Sequence, residues 1–435
     1  MQPQFHLRDA SQLRIAVVGS GISGLAAAFL LGEKHKVSLF EKNAYLGGHT
    51  NTIEVDDEGS ALSVDTGFIV YNELNYPHLT GLFRILDIET QDTDMSFSVS
   101  MDEGRLEYGG ANLSTLFAQR RNLFRLRFLG MVRDILRFNR LAKSLLADPN
   151  AQSTEETLGE FLQRHHFGQA LCREYLLPMA GAIWSCPTET MLRFPMLSFA
   201  RFFNNHGLLN IHDRPQWKTV VGGSWMYVKR LVASGRFTHH TGTKITRVLR
   251  TEQGVHLPEV DAHFDAIVFA SHADETLAML DNPDERERAI LGAFSFQENH
   301  AYLHTDRRLM PRRQKIWSSW NYYGRQEQDG HQAVAVTYWM NRLQKLSSSR
   351  DWLVTLNPPT PPASEMTHAR ITYHHPVFDA AAIHAQGRID EIQGHRRSWY
   401  CGAWQGYGFH EDGLRSAVNV AGLFGIKPPW EPTQP

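Results

Sequence analysis

With 435 residues, 42% of them hydrophobic and 21% charged, the chain has the length for two domains and the balance of an ordinary soluble globular protein. Its net charge of −2 speaks against bulk attraction to nucleic acid. Three widely spaced cysteines, Cys172, Cys186 and Cys401, argue against a disulfide framework, show no metal-ligand spacing and fit a reducing compartment. The opening MQPQFHLRDASQLR lacks an apolar stretch, so no signal peptide is expected and a cytoplasmic place is.

Residues 14 to 49 carry the strongest local signal. A buried strand, IAVV, runs into GxGxxG at Gly19, Gly21 and Gly24, the apolar helix LAAAFLL follows, and a second strand, KVSLF, leads to Glu41. Gly19 permits the tight turn, Gly21 lets backbone approach a pyrophosphate, and Gly24 lets helix and strand pack closely. Ile22 and Ser23 open the helix, whose free N–H groups face phosphate. Glu41 stands where a carboxylate accepts hydrogen bonds from ribose hydroxyls and repels a 2′-phosphate, which disfavours NADP. The glycine pair Gly47 and Gly48 closes the unit. Ile15 to Gly32 is also free of charge for 18 residues, but four Gly and two Ser within it are explained by a βαβ unit and not by a bilayer span.

From Pro77 to about Asp148 the pattern reads as helical, and from Asn112 to Leu146 it is basic as well as apolar. Arg120, Arg121, Arg125, Arg127, Arg133, Arg137, Arg140 and Lys143 face a single acid, Asp134, and Leu123, Phe124, Phe128, Leu129, Val132, Ile135 and Leu136 interleave with them. Two readings stand: an element at an anionic membrane surface with its apolar face in lipid, or a cap helix packed on the protein's own core with a solvated basic face. Thr157 to Met191 reads as a helix pair. VGGSWMYVKRLV, a strand GTKITRVLR, a strand GVHLPEV and a buried strand FDAIVFAS follow, as the second half of a nucleotide-binding domain. NHAYLHT, IWSSWNYY and AVAVTYWM read as strands, the Pro-rich 357 to 365 stretch as a surface loop, and RRSWYCGAWQGYGFHEDGLRSAVNVAGLFG as strand, Gly-rich turn and helix.

VVGSGISGLAAAFLL with FEKNAYLGGHT, VGGSWMYVKRL, FDAIVFASHADETLAML and WYCGAWQGYGFHEDGLRSA together resemble the flavin-containing amine oxidase-like superfamily. YLHTDRRLMPRR, SWNYY, TYWMNRLQ and YHHPVFD resemble, more narrowly, a bacterial group of NAD/FAD-binding, amine oxidase-like proteins often found with cyclopropane-fatty-acid synthase genes. The resemblance implies an α/β fold: a doubly wound, Rossmann-like FAD-binding domain (1–75, 215–290 and 390–435) interrupted by an α+β substrate domain (76–214 and 291–389) of helices and an antiparallel sheet. FAD rather than NAD is also favoured by the return of GAWQGYG into a late helix, because two helix starts can serve one extended cofactor. By the same resemblance Gly413 and Leu414 would donate to the flavin pyrimidine edge, Gly402 and Ala403 would lie near the ribityl chain, Gly67, Phe68 and Ile69 near the ring, Ile245 near adenine, and Lys42 beside Glu41.

The chain departs from that family where arginines usually flank the glycine pair; Tyr45 and His49 stand there, leaving phosphate to helix ends, backbone and His49. The lysine that holds water at flavin N5 in many amine oxidases is also missing, with Asn299 or His300 near its place. No cysteine matches a covalent attachment point, so non-covalent FAD is expected, and no metal. Acid/base candidates are His410 and Glu411, with Asp412 beside them, and His300; the rival role for the acids is helix capping. Tyr407 or Phe409 matches an aromatic wall, and His374 and His375 before Pro376 read as a loop pair, facing either the pocket or, more often for such pairs, the surface. The leading expectation is a flavoenzyme that dehydrogenates, desaturates or isomerises an unsaturated or methylated acyl chain or lipid, with a peripheral place at the inner membrane face under the lipid-facing reading. The alternatives are an amine oxidase releasing imine and peroxide, and a non-catalytic flavin-bound partner of a lipid-modifying enzyme.

Overall fold

The first apolar run forms β1 (Arg14–Val18), and the turn after it feeds α1 (Ile22–Leu31), all ten of whose residues are buried. β2 (Lys36–Phe40) returns beside β1 in parallel, with Ile15 opposite Val37 and Val17 opposite Leu39. Three strands from far along the chain complete the sheet: β3 (Thr238–His240), β4 (Ala266–Phe269) and β5 (Ser398–Tyr400). Their order is β3-β2-β1-β4-β5, with every contact parallel. In such sheets ligands gather beyond the carboxyl ends of the strands where the order reverses, here between β1 and β4. Both faces are covered, which is why the strands are continuous apolar runs. Ile15, Val17 and Val268 pack with α1 on one side, while Ala16, Val18, Ile267 and Phe269 pack into a separate core on the other.

The computed structural model describes residues 12–148, 156–184, 191–210, 214–326 and 332–430; the first eleven residues, Cys186 and the tail 431–435 lie outside the described residues. A second, seven-stranded sheet runs in the order Thr367–Val377, Ser295–His304, Leu353–Leu356, Gln332–Trp339, Trp320–Gln326, Phe97–Met101, Leu106–Gly109. Its neighbours are antiparallel except Trp320–Gln326 against Phe97–Met101, so the sheet expected to be antiparallel is mixed.

Three sequence expectations change. The 77–148 stretch begins with α2 (Pro77–Ile85), but Thr90–Thr93, Phe97–Met101 and Leu106–Gly109 are strands, and a long helix, α3 (Leu126–Ala147), starts only after them. FSVSM alternates with a period of two, and Val99 and Met101 belong to the core of the large sheet, which outweighs the helical pattern around it. In GTKITRVLR only Leu249–Arg250 is a strand, because the preceding backbone follows the chain beyond β2: Gly242 N–H donates to the Asn43 carbonyl and Thr243 N–H to that of Glu41, both at 2.8 Å. His374 and His375 lie within the strand Thr367–Val377 rather than a loop, and strand alternation sends them to opposite faces. Three further helices position the site: α4 (Met196–Asn205), α5 (Trp225–Ala233) and α6 (His410–Leu423).

Candidate functional site

The site is built at the carboxyl edge of β1. Gly19 has φ +101°, and a Cβ there would lie 2.8 Å from the Ala270 carbonyl oxygen, so only glycine makes this turn. A Cβ at Gly24 would collide with the Gly19 carbonyl, whereas one at Gly21 would meet no atom within 4 Å. The loop is thus packed behind Gly24 and open in front of Gly21. Gly48, at φ +59°, brings the second glycine turn against Gly21, and Gly47 N–H donates to the Ser20 carbonyl at 3.0 Å. No side chain caps the first turn of α1 and no acid stands in it, so its leading N–H groups, around Ile22 and Ser23, are left for an anion.

Glu41 is buried at the end of β2. Its Oε2 accepts the Ser20 N–H (3.0 Å) and hydroxyl (2.6 Å), and its Oε1 accepts the Asn43 N–H (2.9 Å). These bonds fix the carboxylate beside the glycine turn while each oxygen keeps acceptor capacity for a ribose. Ile245 is buried in the same core as Phe40, the last residue of β2. Lys42 points away into an exposed ion pair with Glu275 at 2.6 Å.

α6 arrives against α1 as a second helix start. A Cβ at Gly413 would lie 2.8 Å from both Ile22 Cγ2 and Ser23 Oγ, so this glycine sets how closely the two starts approach. The donors expected at Gly413 and Leu414 need correction. The helix begins at His410, and the Gly413 N–H already bonds the Phe409 carbonyl at 3.1 Å, while Leu414 is fully buried core. The free N–H groups of α6 are those of its first turn, His410 to Asp412. Gly402 N–H is likewise taken, by Ser416 Oγ at 2.9 Å, and the Ala403 carbonyl accepts from Gly406 and Gly408 at 3.1 Å each. Of the 67–69 segment, Phe68 faces α6, and Gly67 allows the Phe68 N–H to reach the His49 carbonyl at 2.7 Å; Ile69 turns into the core of the large sheet.

The acid/base candidates separate. His410 stacks on Phe68 at 3.7 Å and places Nε2 2.9 Å from Thr50 Oγ1 and 3.3 Å from the Tyr227 hydroxyl, which itself contacts Thr50 Oγ1. Burial pushes His410 down to about 3, so the imidazole is neutral. Glu411 turns away to the start of α2, accepting the N–H groups of His78 (2.9 Å) and Leu79 (3.0 Å). Asp412 accepts the N–H groups of Tyr407 (3.0 Å) and Phe409 (3.1 Å) and pairs with Arg415 at 2.5 Å. Capping therefore claims both carboxylates. Of the expected pair Asn299 or His300, His300 lies on the outer face of its strand, 3.3 Å from Glu298. Its neighbour Asn299 is the one turned inward, fully buried, with Nδ2 3.0 Å from His375 Nδ1.

Beyond Asn299 lie His375 and then His49, their rings 5.2 Å apart, with Tyr373 stacked on His49 at 4.7 Å. His49 Nε2 is buried without a hydrogen-bond partner among the described residues. Burial first, then the neighbouring imidazoles, holds His49 well below its usual range, and burial takes His375 to about 4. His49 is thus neutral, and what its free Nε2 can offer a phosphate is a hydrogen bond rather than a positive charge. Opposite, Tyr407 and Phe409 form an aromatic wall with α4: Phe202 stacks on Phe409 at 5.1 Å, stands 5.7 Å from Tyr407, and carries His206 at 3.9 Å.

Sequence reasoning missed Thr50, Tyr227 and Asp65. Asp65 is fully buried and holds Ser224 at the start of α5 by both N–H and hydroxyl, which sets Tyr227 one turn later. The only signal was positional, a Thr two residues after the glycine pair and a Tyr shortly after GGSW. Contact across 177 residues is a tertiary fact.

A cradle open at Gly21, an acid tethered beside it, a second helix start packed against the first and a buried imidazole nitrogen without a partner among the described residues suit a cofactor longer than one helix start can hold. The class so defined is the FAD-dependent oxidoreductases. The family described as flavin containing amine oxidoreductase matches residues 22–352, and the chain belongs to it. Among curated proteins it is 28% identical over 212 residues to a carotenoid phi-ring synthase of Streptomyces griseus, a match covering 45% of this chain and 40% of that protein. It is 37% identical over 106 residues to a 4,4'-diapophytoene desaturase of Staphylococcus haemolyticus, covering 22% of this chain and 21% of that one. The chain thus spans less than half the length of these relatives. Solved structures with the same fold include a fatty acid isomerase from P. acnes (TM-score 0.66, 14% identity, covering 96% of this chain and 100% of that one) and cyclohexylamine oxidase from Brevibacterium oxydans (TM-score 0.65, 14% identity, 95% and 98%).

Proposed function

We propose that the enzyme binds FAD non-covalently and takes a hydride from an unsaturated or methylated acyl chain or similar lipid, dehydrogenating, desaturating or isomerising it. The observation that carries this reading is the chemistry of the wall facing the start of α6. Phe68, Phe202, Tyr407 and Phe409 supply apolar surface, and burial keeps His410 at about 3 and His206 at about 4, hence uncharged. Asp65, Glu411 and Asp412 are each committed to backbone N–H groups, so none is free to meet an ammonium group. Such a wall favours a hydrophobic substrate over an amine. The names of the carotenoid synthase, the desaturase and the fatty acid isomerase point the same way.

In this reading the FAD-binding part comprises 1–75, 215–290 and 390–435, and the substrate part 76–214 and 291–389. Gly19, Gly21, Gly24, Gly47, Gly48 and Glu41 hold the adenosine and pyrophosphate half, and the first turns of α1 and α6 receive its negative charge. Bound FAD supplies the hydride acceptor, its N5. Thr50, Tyr227 and neutral His410 hold a proton at His410 Nε2 or pass it between the hydroxyls, while Phe68 and Phe409 exclude water. An acyl C–H bond yields hydride readily only when allylic, so an alkene neighbour belongs to the substrate.

Purified holoprotein mixed without oxygen with phospholipid extract or free unsaturated fatty acids is expected to lose flavin absorbance at about 450 nm. Bleaching by amines instead, with peroxide on readmitting air, would transfer the protein to the amine oxidases proper. A colourless protein that takes up no FAD would remove the whole reading.

A further inference from the structure

α3 was expected to put one apolar face either into lipid or onto the protein, and the structure divides that face in two. Phe128, Met131, Phe138 and Ala142 are buried, the last two in a core with Phe161 and Phe199, so the helix needs no further partner for its own stability. A second set points out. Phe124 and Leu126, at the turn that enters α3, are 86% and 85% exposed, and Leu123, Leu129 and Leu136 are exposed beside them or along the helix. Leu126, Leu129, Arg133, Leu136 and Arg140 follow one another at helical spacing along a single outer stripe.

The charge carried by this segment is almost all of one sign. Residues 112–146 hold eight arginines and lysines and one acid, Asp134, which is buried and accepts the Gly168 N–H at 3.3 Å. Arg120, Arg125 and Arg140 enter no ion pair among the described residues, and Arg121 lies in the positive field of Arg125, Arg313 and Arg105. Arg127 pairs with Glu174 and Arg133 with Asp134, but both guanidinium groups stay largely exposed. Bulky apolar side chains that protrude from an arginine-rich rim match the boundary of a bilayer: hydrocarbon beneath, anionic headgroups around. A second copy of the chain is a poor occupant, since a two-fold contact would press two arginine rims together.

We propose that the 120–129 corner and the outer stripe of α3 dock the enzyme on an anionic lipid bilayer, with Phe124 and Leu126 inserted and the arginines on the headgroups. This assignment concerns where the enzyme sits and stands whether or not its substrate is an acyl chain.

Flotation of the full-length holoprotein with phosphatidylcholine vesicles, with and without phosphatidylglycerol, tests it. Binding is expected to the anionic vesicles, to weaken with added salt, and to fall by about tenfold or more in the double variant Phe124→Glu with Leu126→Glu. That variant is expected to keep wild-type flavin content and thermal midpoint, because neither side chain is packed. Arg120→Gln with Arg125→Gln and Arg140→Gln is expected to lose the preference for anionic vesicles. Failure of the wild type to float with anionic vesicles, or equal flotation of wild type and double variant, overturns the proposal. So does light scattering that finds a wild-type dimer converted to monomer by the double variant. None of these results bears on flavin bleaching by soluble substrates, so this proposal and the functional reading fail separately.

Discussion

A side chain at Gly21 would meet no protein atom within 4 Å, whereas one at Gly24 would enter the Gly19 carbonyl. The two glycines therefore do different work within one motif: Gly24 is required for α1 to pack on β1, and Gly21 keeps space clear for a ligand. Gly21→Leu is accordingly expected to fold with a thermal midpoint close to that of the wild-type apoprotein and to purify without flavin, read as the loss of visible absorbance. Unchanged flavin content would show the site misplaced. At the same scale, His410 was legible as a candidate because it precedes a glycine-entering helix. Its partners Thr50 and Tyr227 were not, because the contacts that join them span 360 and 183 residues and nothing local marks either.

At the scale of elements, α2 begins without a side-chain cap of its own, and Glu411 of α6 supplies the acceptors for its His78 and Leu79 N–H groups. This ties two helices 333 residues apart and explains why an acid stands in a nearly closed place. Burial pushes Glu411 from its ordinary 4.5 up to about 7, against the pull of those two N–H groups. A carboxyl whose pKa is raised on folding retains its proton longer in the native state than in the unfolded one. Stability from this group is thus greatest at acid pH, falls as pH rises from the unfolded value toward about 7, and is level above that. The fall amounts to at most about 3.5 kcal/mol, at about 1.4 kcal/mol for each pH unit. Denaturant unfolding at acid and at mildly alkaline pH is expected to show this decline in the wild type and a smaller one in Glu411→Gln. Buried Asp65, raised to about 6, supplies the part that persists. The sequence offered catalysis or capping for this acid without naming the helix it caps, since α2 lies far away in the chain.

At the scale of the molecule, β5 is fastened to distant segments by one buried network. Arg250 forms a two-pronged ion pair with Glu287, its Nη2 2.9 Å from Oε2, and the Tyr400 hydroxyl donates to Glu287 Oε1 at 2.7 Å. Side-chain exposure is 3% for Arg250 and 0% for Glu287, so removing one partner strands a charge away from water. Arg250→Ala is expected to cost about 3–5 kcal/mol in urea unfolding, while Arg250→Met with Glu287→Leu costs much less because no charge is left unpaired. A single-variant loss no larger than that of the double variant would contradict this account. The network matters for the site because β5 leads directly into the loop that positions α6.

The sequence by itself determined the first βαβ unit, its acid and the flavin class, because those depend on residues close together in the chain whose glycine, apolar and acidic positions are fixed by local backbone geometry. The late return of GAWQGYG was legible for the same reason, as a strand, a turn and a helix start. Tertiary structure alone decided which acids are caps, that Asn299 rather than His300 faces inward, that His375 lies behind His49, and which apolar side chains of 113–147 are core and which protrude. Each of those outcomes turns on which face of a strand or helix meets another element. Periodicity shows that a segment has two faces; only packing between distant segments selects the one that is covered.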